Sequence, residues 1–178
     1  MLDKKRISEA ESNVRQYLED NMLKKETNKT AKEMYIENCD VSLQTAQKLF
    51  SLESNDYQPY LWVIVSSYYS MYYIANAVLL NFGYKIGHKI SHKVTADSLI
   101  VFVRNKLNKQ LLEEYEDTKE DALELMSQKV DSLLQNLDYE REKRSKFQYR
   151  MDKQAKSSKA KTSLERAKEF VFEMKKLL

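Results

Sequence analysis

The sequence predicts an all-α protein, an up-and-down four-helix bundle with an extra N-terminal helix and shorter accessory helices. Three observations predict it. Two glycines and one proline among 178 residues leave almost no punctuation for hairpins or sandwich turns. Lys, Glu, Leu, Met, Gln and Ala dominate instead, and these are the better helix formers. Apolar residues recur at helical spacing through most of the chain. The length fits one domain with a sizeable core.

The elements follow in order. Residues 7–24 read as a first helix, with Ser8 as a cap and Val14, Tyr17, Leu18 and Met22 on its apolar side. The polar run KKETNKT ends it, so residues 1–28 read as an accessory helix and linker ahead of a bundle over residues 29–178. Thr30 to Leu52 is the next helix, with Met34, Val41, Leu43, Ala46, Leu49 and Phe50 at helical spacing. SLESNDYQP is a loop. Pro59 opens the following helix, where its missing N–H costs nothing, and Gly83 closes it after about Asn81.

KIGHKISHKV then connects to a short helix from Thr95 to Leu107, with Leu99, Phe102, Val103 and Leu107 facing inward. Leu111 to Met126 is helical, on a weaker stripe of Leu111, Leu112, Tyr115 and Leu123. In the next helix Val130, Leu133, Leu134 and Leu137 form an apolar face, and the same period carries it onto Arg141, Arg144, Gln148 and Met151. The face changes from leucine to arginine in mid-helix. QAKSSKAKTS reads as a polar loop with Ser157 or Ser158 as a cap. The last helix, Lys159 to Leu178, sets Leu164, Ala167, Phe170, Val171, Met174 and Leu178 on one side.

Asp56 and Lys85 bracket 28 residues without a formal charge, enough to span a bilayer. Five tyrosines between Tyr60 and Tyr73, three serines and Asn76 would then need hydrogen-bond partners in hydrocarbon. A buried central helix explains the same pattern, so no membrane contact is expected. Cys39 is the one cysteine, which excludes an internal disulfide and any zinc site built on several thiolates. The N-terminus has no apolar signal region, and a reducing cytoplasm is the expected location.

The net charge of +3 matters less than its distribution. Leu107 to Asp138 is acidic, whereas Arg141 to Lys161 holds nine basic residues against Glu142 and Asp152. That strip is either a solvated helix face or a track for a polyanion, with Arg141, Lys146 and Arg150 as candidate RNA contacts and Lys93 as a further one. His88 and His92 have the spacing of a helical metal pair, but Gly87 argues against helix there and no carboxylate or thiol cluster accompanies them. No metal or cofactor is expected. Neither histidine has a glutamate three positions before it, which excludes the di-iron pattern of other bundles. Phosphate-loop, nucleophile-elbow and dinucleotide motifs are absent. His92 alone is a candidate base, or else a histidine that caps or lines a loop. Tyr68, Tyr69, Tyr72 and Tyr73 are core and interface packing, or a stacking platform for bases.

Four segments in order resemble the small prokaryotic HEPN proteins. YYSMYYIANAVLLNFGY is similar to their tyrosine-rich second helix, roughly YYAxFxAAxALLxxxG. SHKVTADSLIVFV resembles the threonine-histidine-lysine segment that follows it. RSKFQY, Arg144 through Tyr149, resembles the R-x4-Y variant of the family's R-x4-H motif. SLERAKEFVFEM resembles the last helix. The resemblance covers about Thr30 to Leu178.

It implies a protein of a prokaryotic toxin–antitoxin or defence system, paired with a minimal nucleotidyltransferase, and a homodimer with its motif in a groove at the two-fold interface. Relatives with R-x4-H are metal-independent endoribonucleases. In that chemistry the RNA 2′-hydroxyl attacks its own phosphate, so a base, an acid and a cation are all required. Arg144 fits as the cation through its forked donors. Tyr149 stands where the histidine would be, and a tyrosine at pH 7 is ionised only to about one part in a thousand. The resemblance therefore implies either an endoribonuclease with weak or lost activity or a non-enzymatic dimeric subunit that binds the transferase, with Tyr149 placed as a modification acceptor. Five residues along a helix rotate a side chain by about 140°, so Arg144 and Tyr149 share a site only if they line a cleft from different sides or the helix is distorted. A helical scaffold whose basic strip binds nothing in particular is the third possibility.

Overall fold

A computed structural model describes the backbone of residues 2–141 and 153–178 and the side chains of residues 2–127 and 157–178. The described residues form six α-helices and one two-stranded sheet: α1 (Lys4–Glu19), β1 (Leu23–Lys25), α2 (Lys29–Ser51), α3 (Tyr60–Asn81), β2 (Tyr84–Ile86), α4 (Ser91–Phe102), α5 (Lys109–Arg141) and α6 (Lys153–Lys175). The all-α class is as the composition predicts.

α3 is the centre. It packs against α2, α4, α5 and α6, which is why its sequence is apolar on nearly every side. Ile64, Tyr68, Met71, Ile74 and Leu79 are all sealed from solvent. Among the described residues it is the helix long and apolar enough to cross a membrane, and 78% of that window is buried inside the protein. Pro59 caps its start, and Gly83 ends it at φ +85°, a left-handed turn that favours glycine. On α2 the buried side chains Cys39 and Ala46 are small and allow a close approach to α3. Asn28 caps α2, its side chain accepting from the Ala31 N–H at 2.8 Å.

Three expectations change. The first helix ends at Glu19, not near residue 24, because Asn21 turns the chain at φ 56° and Leu23–Lys25 pairs antiparallel with Tyr84–Ile86. That pairing spans about sixty residues and leaves no local signature. Gly87 follows β2, and its N–H donates to the Met22 carbonyl at 2.7 Å. A Cβ there would stand 3.1 Å from that oxygen. Secondly, α4 begins at Ser91, four residues before the expected Thr95, after Ile90 in a left-handed conformation (φ 42°). Thirdly, α5 is one helix of 33 residues across the expected break at Met126, and α6 begins at Lys153, through the segment read as a loop. No Gly or Pro interrupts either stretch, and polar residues alone do not stop a helix. On α5, Ala122 takes the buried position expected of Leu123, which is 36% exposed.

α1 is tied down by a polar knot. Asp97 on α4 is fully buried and takes the Tyr17 hydroxyl at 2.9 Å and the Asn13 amide at 3.0 Å. Arg6 lies 2.7 Å from Asp97 and 2.7 Å from Glu116 of α5. Burial and the hydrogen bond to Asp97 push the Tyr17 hydroxyl far above its ordinary pKa. α5 and α6 run antiparallel, joined by Arg166–Asp117 at 3.3 Å and Lys159–Asp121 at 3.0 Å. Beyond Asp121, α5 continues for another 20 residues to Arg141, about 30 Å of helix.

Candidate functional site

His92 occupies the first turn of α4, half-buried, where α3, α4 and α5 meet. Tyr68, on the inward side of α3, places its hydroxyl 2.6 Å from His92 Nδ1. Burial pushes the Tyr68 pKa far up, so the hydroxyl keeps its proton and can donate it to Nδ1. Nδ1 is then the acceptor, and Nε2 carries the ring proton. Tyr72 packs on the imidazole with ring centroids 4.6 Å apart, and Tyr69 meets it edge-on at 5.9 Å. Tyr115 of α5 closes the floor, 6.0 Å from the Tyr68 ring and 5.3 Å from Phe170. Burial and the neighbouring Tyr68 hydroxyl push the Tyr115 pKa well above its ordinary value.

Lys119 lies one helical turn beyond Tyr115, on the same side of α5 and half-buried. Burial and the Lys119 charge hold the His92 pKa below its ordinary value, so the imidazole is neutral at pH 7. The corner therefore presents a neutral imidazole with one outward N–H, a cation and two half-exposed tyrosine rings. Such a set can donate to an oxyanion and stack on a planar ring. Lys93, the next residue, is exposed. His88 is also exposed, in the bend before α4 rather than on its helix, and no group of three or more His, Cys, Asp or Glu stands together among the described residues.

Of the other candidates, Arg141 is the last residue of α5. It stands 22 residues beyond Lys119, about 33 Å of helix. Arg144, Lys146, Tyr149 and Arg150 lie outside the described residues, as does the face on which leucine gives way to arginine. His92 and Lys93 thus belong to one end of α5 and Arg141 to the other.

Lys119 and Tyr115 carry no functional signal in the sequence. Lys119 sits among Glu116, Asp117, Glu120 and Asp121, a setting that suggests a solvated ion-paired lysine. Only the helix period, 115 to 119, places it beside the tyrosines.

A second surface lies between α2 and α3. An open groove of about 320 Å³ is lined by Val41, Thr45, Trp62, Ser66, Tyr69 and Tyr73. Trp62 is 57% exposed, and Val41 likewise 57%. No charged residue lines this groove. Comparison with protein-family models, curated proteins and solved structures gives no match for the chain.

Proposed function

We propose that this chain is an HEPN-type protein of a prokaryotic toxin–antitoxin or defence system, working in the cytoplasm as a homodimer on single-stranded RNA, with weak metal-independent endoribonuclease activity. On this reading α2, α3, α5 and α6 are the four-helix bundle and α1 is an addition to it. The observation that carries it is the meeting of Tyr68 and His92, 2.6 Å apart. The tyrosine-rich helix and the S-H-K segment are separate pieces of the resemblance, and they converge on one cluster.

In the proposed reaction the 2′-oxygen bonds to phosphorus as its proton leaves, and the bond to the 5′-oxygen breaks as that oxygen is protonated. Arg144 holds the charged phosphorane. Tyr149 is a poor base, so turnover is slow. The test is cleavage of a labelled single-stranded RNA in a metal chelator. Arg144→Ala should lower the rate about a hundredfold, the loss of ~3 kcal/mol of transition-state stabilisation. Strong cleavage that survives Arg144→Ala would remove the chemistry from this segment.

The apolar groove favours a second reading. Exposed Trp62 and Val41 in an uncharged surface suit a protein partner. A non-enzymatic HEPN subunit that binds a nucleotidyltransferase, with Tyr149 as its modification acceptor, would use such a face. Transfer of a labelled nucleotide to wild type but not to Tyr149→Phe would select it.

A further inference from the structure

We propose that His92 Nε2 and the Lys119 ammonium together bind a backbone phosphate of single-stranded RNA, with the neighbouring base on the Tyr69/Tyr72 edge. This proposal rests on the RNA reading above and gives the strand a docking point about 33 Å of helix away from Arg141.

Three observations lead there. The first is the tautomer. With the Tyr68 proton directed at Nδ1, 2.6 Å away, the other nitrogen of His92 carries the ring proton and has no partner among the described residues. A buried tyrosine here orients the imidazole, as a carboxylate does in other sites, but without adding negative charge that would repel a phosphate.

The second is that Lys119 has no ion-pair partner among the described residues although acidic residues surround it. Glu116 pairs with Arg6, Asp117 with Arg166 and Asp121 with Lys159, each within 3.3 Å. Glu113 is taken by the Leu2 N–H at 2.6 Å. These four carboxylates fasten α1 and α6, Glu120 is exposed, and a half-buried cation is left beside a neutral imidazole. Such a cation is stabilised by an anion from outside.

The third is the aromatic rim. Tyr69 and Tyr72 are half-exposed, and their rings meet edge-on at 6.2 Å. A face of this kind stacks a base without reading its identity, which suits sequence-tolerant contact to a single strand. Lys93 stands beside it on α4, and no carboxylate of α3 is near, since the helix holds none.

Binding of a fluorescein-labelled single-stranded RNA is measured by anisotropy for wild type, Lys119→Gln and His92→Phe. His92 ring resonances are followed in parallel as inorganic phosphate or unlabelled RNA is added. Lys119→Gln lies on a half-exposed helix face and leaves the fold intact, whereas His92→Phe keeps the ring packing but removes both nitrogens. Each variant should bind RNA about tenfold more weakly, the loss of one charge-assisted hydrogen bond. Lys119→Gln should also flatten the plot of log affinity against log salt by about 0.7, one phosphate contact on a single strand. RNA should shift the His92 resonances, and inorganic phosphate should do so more weakly. RNA binding that is equal in all three proteins would overturn this site while leaving the RNA reading in place. Shifts with phosphate but no RNA binding would support the anion site and remove the RNA reading. His92 resonances unmoved by either ligand would overturn the site.

Discussion

Replacing Asp97 by alanine should destabilise the protein by about 3 kcal/mol. The fully buried carboxylate accepts from Tyr17 at 2.9 Å and from Asn13 at 3.0 Å, and pairs with Arg6 at 2.7 Å. In Asp97→Ala the buried Tyr17 hydroxyl loses its acceptor, which costs about 1–3 kcal/mol. Asn13 is half-exposed and turns to water, so its share is small. Arg6 retains Glu116 at 2.7 Å, which limits its loss to about 1 kcal/mol rather than the ~3–5 kcal/mol of a wholly orphaned buried charge. Asp97→Asn keeps an oxygen for Tyr17 and should cost about half as much. Urea unfolding followed by circular dichroism gives both values, provided the slope m is unchanged. A double-mutant cycle with Tyr17→Phe should return a coupling of about 1–2 kcal/mol. A loss below about 0.5 kcal/mol for Asp97→Ala, or no coupling to Tyr17, would refute the idea that this knot fastens α1 to the bundle.

Three further outcomes are expected. Because the His92 pKa is lowered in the fold, the unfolded chain binds more protons below the ordinary value near 6.5. The His92 contribution to stability is therefore present above about pH 6.5 and is lost as pH falls toward its folded value; the drop in urea midpoint from pH 7.5 to 5 should be smaller in His92→Phe than in wild type. Light scattering should give a dimer at micromolar concentration, with a monomer counting directly against the proposed assembly. Cys39, buried and with its thiol pushed up to about 12, should resist alkylation in the native protein at pH 8 and react fully in urea; rapid native modification would contradict its burial.

Much of the helical framework is legible because its signals are local. Pro59 and Gly83 bound α3, and α2 runs from Lys29 to Ser51 where the periodicity predicts Thr30 to Leu52. The β1–β2 pair is not legible, since what makes Leu23 a strand residue is Ile86, a partner far along the chain. The loop expected at QAKSSKAKTS fails for a different reason. The serines at the start of α6 are mediocre helix residues, but the lysines and alanines around them are good ones, and Ala160 and Leu164 bury the far side of the same turns.

The candidate site was half visible. Tyr68 and His92 stand out as residue types, but their contact depends on the crossing of α3 and α4. Lys119 was hidden because an acidic neighbourhood implies ion pairs, and only the three-dimensional placement of Arg6, Lys159 and Arg166 shows those acids engaged elsewhere. Asp97 left a fainter trace: a lone carboxylate inside VTADSLI, where the surrounding residues are buried, implies a buried partner.

The proposed lineage is tested most directly by putting the missing imidazole back. Metal-free cleavage of labelled single-stranded RNA is compared between folded, purified wild type and Tyr149→His. The wild type should cleave slowly or not measurably, and Tyr149→His should raise the rate by about a hundredfold or more, as a histidine with a pKa near 6.5 supplies the proton transfers that tyrosine cannot. No gain in Tyr149→His, in a protein that still binds RNA, would contradict the claim that Arg144 through Tyr149 is a ribonuclease motif with its base exchanged.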